Sequence, residues 1–402
     1  MPNRFRIVAL FAVACALPAR AGNLNPPGGA VSSTMKTLDQ VESRTPISST
    51  TSPGDGDSVY RISSSGSYYL TGNVSVGNGR AGIEIAASNV TLDLNGFAII
   101  ESILASALDG VTVTGNQVSV TVRNGAVRSV NGDGVDMANI RGGFIEGISV
   151  RNVGGVGIRT GAGARVINCD TSVCNGAGFV TSSNVTLQSC TAELNGAIGF
   201  QLSFSCVARD CTANANSQSG FTRGVGSTLE NCTSLSNSTA GFSLAAGARA
   251  SNCAAYLNGA SGFSVGDGGL VESCVARGNV QYGVTLSDNA TVTDTSVFSN
   301  GSAGIVAASD CAILDNTCRD NVGHGVLLNG SRNHVARNSI SGHAIGVQYV
   351  GCRNIVIANV LTANPTQLLA TGSCDIFVGF NFIGTLSNLF SGTYQPTDNL
   401  EH

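Results

Sequence analysis

Residues 199–221 read GFQLSFSCVARDCTANANSQSGF and contain one complete repeat followed by the start of the next. The pair Gly199-Phe200 returns as Gly220-Phe221, 21 residues later. The same glycine, always before an apolar residue, recurs in steps of 21 at Gly157, Gly178, Gly199, Gly220, Gly241, Gly262, Gly283, Gly304, Gly325 and Gly346. Looser copies at Gly82, Gly110 and Gly134 bring the number of anchors to 13. A fixed period of this length indicates a repeat architecture.

Two further columns of residues keep the same period. One column consists of cysteines, at Cys169, Cys190, Cys211, Cys232, Cys253 and Cys274. The other consists of asparagines, at Asn195, Asn216, Asn237, Asn258, Asn279, Asn300 and Asn321. Glycine at this density would destroy the long helices of a coiled coil. The Leu-x-x-Leu-x-Leu frame of leucine-rich repeats is also missing, so the period indicates a β-solenoid.

In a parallel solenoid, equivalent residues of successive coils lie above one another at about 4.8 Å. We therefore expect a core stack that runs from Phe179 through Phe200 to Phe263, and a ladder of hydrogen-bonded asparagines. Stacked cysteines are too far apart for the roughly 3.8 Å Cβ separation of a disulfide. We interpret them as buried thiols that act as small apolar fillers, with disulfides as the alternative.

Three segments carry a resemblance to known proteins: residues 89–96 (NVTLDLNG), 313–328 and 333–338 (NHVARN). They are similar to the right-handed parallel β-helix proteins of the pectate-lyase-like superfamily, in its secreted bacterial form. The resemblance covers residues 59–383 and implies an all-β fold, a single right-handed parallel β-helix of about 13 coils. Its members include lyases, hydrolases, epimerases and adhesins, so the fold alone does not specify an activity.

The remaining segments are expected to lie outside the helix. Residues 1–21 have a basic start, an apolar core and a small-x-small end, which predicts a signal peptide and a secreted or periplasmic chain. Residues 22–58 are rich in Gly, Pro, Ser and Thr and predict a flexible leader. Residues 384–402 form a C-terminal tail. No transmembrane segment is expected.

The charge balance excludes one class of partner. Charged residues make up only 11% of the chain, and 25 acidic residues outnumber 21 basic ones. Nothing resembles the basic stripe of a nucleic-acid binder, so we expect no nucleic-acid partner. In the early coils Asp133, Asp136 and Glu146 lie near several arginines, and we interpret them as a solvated charged face, with a groove as the alternative.

The search for catalytic residues starts from acids on outward columns, because lyases of this fold use clustered carboxylates to hold Ca²⁺. Asp294 and Asp315 lie 21 residues apart, but their column otherwise holds turn residues. No cofactor is evident, and Ca²⁺ is expected only if the chain is a lyase. These two acids are weak candidates, since a structural turn is the favoured alternative.

Three more residues are weak candidates: Asp320, His324 and Arg223. Gly323-His324-Gly325, with Asp315 and Asp320 upstream, is similar to a motif of galacturonan hydrolases of this fold, although the adjacent aspartate pair of that family is missing. The three histidines His324, His334 and His343 fall in different columns, which predicts two or three exposed imidazoles rather than a metal site. Arg223 occupies a column of apolar residues, so its side chain should either turn outward or pair with an acid such as Glu230.

Two functions remain open at this point. The chain could bind or process an extracellular polysaccharide, as a lyase-like or glycoside hydrolase-like enzyme if it is an enzyme at all. Alternatively, it could be a non-catalytic structural or adhesin-like surface protein. The absence of tryptophan argues against a sugar-stacking platform, and the regular repeats, which we expect to be free of insertions between Gly157 and Gly346, favour the second function.

Overall fold

The computed structural model describes residues 42–77, 79–101, 108–371, 377–379, 381–383, 395–397 and 400–401, the last two ranges as backbone only. The main compact unit begins at Arg44. The described residues form strands and turns and contain no helix. A search of these residues accordingly finds no helix that could span a membrane.

The strands form three columns, which we number 1 to 3 in the order in which each coil visits them. Column 1 is a 15-stranded parallel sheet of Ser58–Ile62, Ala81–Ile85, Val111–Val113, Val135–Arg141, Ile158–Ala162, Phe179–Thr181, Phe200–Leu202, Phe221–Arg223, Phe242–Leu244, Phe263–Val265, Val284–Leu286, Ile305–Ala307, His324–Leu328, Ile345–Tyr349 and Thr366–Ala370. Columns 2 and 3 together make a 31-stranded sheet, in which Val120–Arg128 and Phe144–Arg151 run through both columns.

Column 2 also contains Thr45–Pro46, Gly66–Tyr69, Val90–Asp93, Arg165–Ile167, Thr186–Gln188, Val207–Arg209, Thr228–Glu230, Arg249–Ser251, Leu270–Glu272, Thr291–Thr293, Ala312–Leu314, His334–Ala336, Ile355–Ile357, Phe377–Gly379 and Gln395–Thr397. Column 3 also contains Val74–Val76, Ala98–Glu101, Asp170–Ser172, Thr191–Glu193, Thr212–Asn214, Thr233–Leu235, Ala254–Tyr256, Val275–Arg277, Ser296–Phe298, Thr317–Arg319, Ser339–Ser341, Val360–Thr362, Phe382–Ile383 and Leu400–Glu401. These strands confirm the parallel β-solenoid predicted from the period.

Sharp bends separate the columns of each coil. In the coil after Phe200, Asp210 (φ 54°) lies between columns 2 and 3, and Ala215 (φ 51°) ends column 3. Both are left-handed conformations, in which Asn and Asp are enriched in proteins generally and in which Ser also recurs in this chain. The bend between columns 2 and 3 is occupied mainly by such residues in the other coils, for example Asn231 (φ 53°) and Ser273 (φ 53°).

The core contains the predicted phenylalanine stack. The rings from Phe179 to Phe263 are buried, with successive centroids 4.7–4.9 Å apart and neighbouring planes within 6° of parallel. Isolated aromatic pairs prefer offset or edge-to-face arrangements. The face-to-face stack is therefore imposed by the coil spacing, which holds equivalent backbones one above another.

The asparagine ladder is also confirmed, and its bonds form a repeating unit. The Asn258 side-chain oxygen accepts from the backbone N–H and the side-chain amide of Asn237 (both 3.1 Å). The Asn258 amide donates to the carbonyl of Ser234 (3.2 Å) and to the Asn279 oxygen (3.0 Å). Buried amides are tolerated here because each coil supplies the partners that the next coil needs.

The cysteine column also links successive coils by hydrogen bonds, with sulfur in place of the side-chain amide. The backbone N–H of Cys232 points to the Cys253 sulfur at 3.4 Å, and the Cys253 thiol donates to the carbonyl of Leu229 at 3.5 Å. The ladder cysteines are buried free thiols, whereas Cys352, outside the column, is disulfide-bonded. Beyond Cys274 the column continues as Thr295 and then as a second amide ladder at Asn316, Asn338, Asn359 and Asn381.

One coil departs from the expected regularity. Column 1 keeps the regular period from Ile305 to Val326, but in column 2 Ala312 pairs with His334, one residue later than the period predicts. The extra residue lies between Val326 and His334, near Gly330, and column 1 is again in period at Val347. The prediction that no insertion occurs between Gly157 and Gly346 was therefore wrong, because a one-residue insertion is offset by a shortening in the same coil.

The helix also extends further at both ends than predicted. Residues 44–58, assigned to the leader, include the strand Thr45–Pro46, which pairs with Gly66–Tyr69, and the buried Ile47. The tail contributes Gln395–Thr397 and Leu400–Glu401 as further strands. Column 1 accordingly has 15 strands, since its first and last strands lack the glycine anchor.

Candidate functional site

The strongest concentration of charge on column 1 lies on its first five strands. The outward positions there pair in the order Arg61, Glu84, Thr112, Asp136 and Arg159. Further along, the same outward column is neutral, beginning with Val180, Gln201, Thr222 and Ser243. The N-terminal coils therefore carry a charged surface that the regular coils lack.

A cleft of about 180 Å³ opens on this charged surface, and we call it the N-terminal cleft. It is lined by Asp57, Ala81, Glu84, Leu108, Asp109, Thr112 and Thr114. Leu108 and Asp109 directly follow positions 102–107. They belong to the coil in which successive column 1 strands lie farthest apart in sequence, since Ile83 pairs with Val111. Leu108 and Asp109 lie just before the column 1 strand Val111–Val113, at the edge of the cleft.

Glu84 is the most deeply placed acid of the cleft, with 6% of its surface exposed. The Thr114 hydroxyl donates to one carboxylate oxygen at 2.6 Å, and Nε of Arg61 lies 3.5 Å from the other. A buried carboxylate requires such partners, because burial without them costs on the order of several kcal/mol. Glu84 is thus held in one orientation from both sides.

Asp55 and Asp57 lie at the mouth of the cleft, just before the first column 1 strand. The Ser58 hydroxyl and the Arg61 guanidinium each donate to the Asp55 carboxylate at 2.7 Å, and these bonds hold the pKa of Asp55 below its usual value. The hydrogen bond with Asp55, together with its negative charge, raises the pKa of Asp57. Neighbouring groups therefore drive the two pKa values apart, an arrangement found at acid–base sites.

Asp109 adds a second carboxyl group with a raised pKa. Burial is the main cause, and the charges of Asp133 and Asp136 add to it. One Asp109 oxygen accepts from the backbone N–H of Asp133 at 2.7 Å, and Asp133 in turn pairs with Arg159 at 2.8 Å. Asp133 is therefore linked to the cleft through Asp109, and Asp136 lies on the same outward column as Glu84, whereas Glu146 lies in the other sheet.

The cleft also contains the one group of acids in the described residues that could hold a metal ion. One ligand oxygen from each of Asp55, Asp57 and Glu84 lies within 4.8 Å of the others. Carboxylate oxygens are the ligands that Ca²⁺ prefers. The three acids offer oxygen donors of this type, but the Arg61 guanidinium already forms ion pairs with Asp55 and Glu84.

The structure places Asp294 and Asp315 at bends rather than in a cleft. Both have left-handed conformations between columns 2 and 3. Asp315 forms a two-fold ion pair with Arg337 (both distances 2.7 Å), and this guanidinium lowers the pKa of Asp315. The side chain of Asp294 accepts from the Thr293 hydroxyl at 3.0 Å. These contacts agree with the structural-turn alternative.

The other predicted site residues lie at separate places in the coil. Asp320 occupies the bend after column 3 and lies 3.4 Å from Nε of Arg319, while His324 begins a column 1 strand. Arg223 ends a column 1 strand, in register with Leu202 and Leu244, and its side chain lies outside the described residues. The structure therefore does not assemble the sequence candidates into one site.

His343 differs in burial from His324 and His334. Its side chain is buried, and its Nδ1 lies 3.2 Å from the backbone nitrogen of Asn321, where it continues the asparagine ladder. The ladder then passes to Asn364 at 2.9 Å. The Nε2 atom has no hydrogen-bond partner. The sequence did not single out His343 as the buried one, because the one-residue shift in this coil places it in the ladder column one position beyond the strict period from Asn321.

The residues of the N-terminal cleft were missed by the sequence search. The separations between Asp57, Glu84 and Asp109 are not multiples of the period, so these acids do not align in the repeat register. The signal that could have found them is the slack in the early coils, around residues 99–108, where the period breaks down. Functional groups concentrate in such irregular segments.

Comparisons with protein families support the fold. The family described as "Right handed beta helix region" matches residues 95–228, and the family described as "Periplasmic copper-binding protein (NosD)" matches residues 247–390. A search of curated proteins finds no match. In the described residues, the second matched region contains no group of three His, Cys, Asp or Glu side chains close enough to share a metal.

Solved structures with a similar fold act on polysaccharides according to their names. The mannuronan C-5 epimerase A-module of Azotobacter vinelandii is 18% identical over 80% of this chain and 92% of its own, with a TM-score of 0.46. A periplasmic alginate epimerase is 10% identical over 76% and 77% of the two chains, with a TM-score of 0.38. At these scores the likeness carries no argument about activity.

Proposed function

Because this chain is a right-handed parallel β-helix of the pectate-lyase-like type, we propose that it binds and processes an extracellular polysaccharide in the N-terminal cleft. One observation carries the proposal. Two carboxyl groups with raised pKa values, Asp57 and Asp109, line the same 180 Å³ cleft as the buried Glu84. Such convergence of polar groups and perturbed pKa values is characteristic of binding and catalytic sites.

The arrangement suits proton transfer at a sugar ring. A carboxyl group with a raised pKa stays protonated at higher pH and can act as a general acid, whereas a carboxylate held by donors can act as a base. In this assignment Asp57 and Asp109 are the acids and Glu84 is the base. Asp57 is exposed, so solvent screens the charges that raise its pKa. Asp109 is half-buried and is therefore the better candidate for the general acid.

If the reaction requires Ca²⁺, the ionised carboxylates of Asp55, Asp57 and Glu84 would instead hold the cation, which would offset charge on an acidic sugar, and Asp109 would remain as the acid. Thr112 and Thr114 line the cleft and offer hydroxyl groups for sugar hydrogen bonds. Secretion, predicted from residues 1–21, would place the cleft outside the cytoplasm, where such polymers occur. Analysis of the product distinguishes the three possible reactions, which are elimination, hydrolysis and epimerisation.

A second function is favoured by the regular coils. From Val180 onward the outward column 1 positions carry no charge, and they include Gln201, Thr222 and Ser243. A surface without charged groups can bind a polymer but has no side chain for acid–base catalysis, as expected of an adhesin-like spacer. That function predicts retention on a polysaccharide without any product.

The test is incubation of the full chain with a panel of uronic-acid and neutral polysaccharides, with Ca²⁺ or with a chelator. Reducing ends, absorbance of unsaturated products and the proton NMR of the polymer would be measured, together with retention in affinity gels. We expect turnover for the native chain and at least a hundredfold loss for Glu84→Gln, the order expected when an acid–base group is removed.

Glu230→Gln is the matched control, because Glu230 is a carboxylate in an arginine ion pair (2.6 Å) on column 2, away from the cleft. Its activity should equal that of the native chain. Retention without turnover for all three proteins would favour the adhesin-like function. Neither turnover nor retention on any polymer would remove both functions.

A further inference from the structure

A second surface, on the outer side of column 3, combines apolar side chains with arginines. The register aligns Leu235, Tyr256, Arg277, Phe298 and Arg319 in successive coils at one outward position. Equivalent positions in the two coils before Leu235 hold Glu193 and Asn214. Earlier coils hold Arg128, Arg151 and Ser172 at this position, so the combination of apolar side chains with arginines belongs to the coils from Leu235 to Arg319.

Arg277 is the cation of this surface that lacks a counter-ion. Its guanidinium lies 5.4 Å from the centre of the Phe298 ring, and it forms no ion pair with any carboxylate in the part of the chain that the structure describes. Arg319, on the other side of Phe298, lies 3.4 Å from Asp320. In a chain with more acidic than basic residues, an arginine held on an aromatic ring without a carboxylate is available to an anionic ligand.

A cleft of about 370 Å³ lies against Arg277, and we call it the column 3 cleft. It is lined by Leu235, Tyr256, Leu257 and Arg277. Leu257 is 61% exposed in a left-handed conformation (φ 53°), which is costly for a leucine. Its side chain leans toward Gly278, where an added Cβ would lie only 2.8 Å from a Leu257 methyl carbon. The missing side chain at Gly278 thus gives Leu257 room to form a wall of the cleft.

We infer that the column 3 cleft binds an aromatic carboxylate, with the ring between Tyr256 and Leu257 and the carboxylate on Arg277. The cleft volume lies within the usual range for small-molecule sites. Guanidinium–carboxylate bonds are charge-assisted and often bidentate, which selects the anionic group. A sugar acid fits less well, because the lining offers only the Arg277 guanidinium and the Tyr256 hydroxyl to a ring with several hydroxyl groups.

This site is separate from the N-terminal cleft and does not depend on the proposed function. The probe is 4-fluorophenylacetate, followed by fluorine NMR titration of the full chain. We expect a dissociation constant on the order of 1 mM, in line with the modest energy per atom of a ligand of this size. The uncharged 4-fluorobenzyl alcohol should bind about tenfold more weakly, since it lacks the charge-assisted bond.

Two variants test the lining without straining the fold, because each introduces the residue type of an equivalent position in another coil. Leu257→Ser copies Ser236, which has the same left-handed φ of 53°, and Arg277→Asn copies Asn214. We expect Leu257→Ser to weaken both probes about tenfold and Arg277→Asn to abolish the preference for the acid. Arg209→Asn, at an exposed arginine of column 2, should change neither.

Three results would overturn the inference. Equal affinity for the acid and the alcohol would show that Arg277 does not recognise the carboxylate. Unchanged binding to Leu257→Ser would show that the probe sits elsewhere. Displacement of the probe by equimolar glucuronate would show that the site takes sugar acids instead. Circular dichroism of each variant establishes that it is folded, and polysaccharide turnover should be the same in Leu257→Ser and the native chain.

Discussion

Asn258→Ala tests whether the asparagine ladder stabilises the solenoid. The substitution removes one acceptor that serves both nitrogens of Asn237 and the Ser234 hydroxyl (3.1, 3.1 and 3.3 Å). It also removes the donor to the Ser234 carbonyl at 3.2 Å. The Asn237 backbone N–H and the Ser234 carbonyl would then be buried without these partners.

The size of the effect follows from these lost partners. Each buried polar group left unsatisfied costs about 1–3 kcal/mol, so two such groups predict a loss of about 2–6 kcal/mol in the free energy of unfolding. That is a large part of the roughly 5–15 kcal/mol of a typical domain. Because a coil contacts only its neighbours, the loss should be concentrated in the coils around residues 234–279.

The assay is urea unfolding combined with hydrogen exchange of the backbone amides. Asn214→Ala is the matched control, because its amide bonds only to the Glu193 side chain (2.9 Å) on the outer surface. We expect the control to lose less than about 0.5 kcal/mol, as surface substitutions usually do. Equal losses for the two variants, or unchanged exchange at the Asn237 amide, would refute the reasoning.

Two further predictions concern other ladder positions. Burial lowers the pKa of His343 below its ordinary 6.5, so the unfolded chain takes up the proton first and stability is lost as the pH falls through 6.5 toward the folded pKa. His343→Asn should remove that loss, and denaturant unfolding at pH 7 and pH 5 measures it; the same pH dependence in both proteins would contradict this. Burial also raises the pKa of Cys169, and that of Cys318 to about 12, so iodoacetamide should leave both thiols unmodified in the folded chain and modify them in urea, as mass spectrometry would show.

The fold could be predicted from the sequence because one period fixes three columns at once. Phe200 and Phe221, or Asn237 and Asn258, can share that period only if the same backbone position recurs in every coil. The prediction failed where the period shifts by one residue, at His334 and His343. When residues are assigned to a column by steps of exactly 21, a one-residue shift is missed. It becomes visible only when the structure shows which strands pair.

The candidate site could not be predicted in the same way. Asp57, Glu84 and Asp109 come together because they lie on or just before neighbouring column 1 strands, but the coils between them differ in length, so no common spacing marks them. The sequence did indicate the irregular early coils and the charge near Asp133. It could not show which acids point into a shared cleft, because that depends on the length of each turn.

The offset insertion near Gly330 has a consequence for how this chain can change in length. Strands of neighbouring coils pair residue by residue, so one added residue displaces all later pairs unless the same turn of the solenoid loses one. Here column 1 is back in step at Val347, within one circuit. Chains of this kind can therefore gain or lose whole coils freely. A smaller insertion is tolerated only when a deletion of the same size occurs in the same coil, so homologues should differ in length mainly by complete coils.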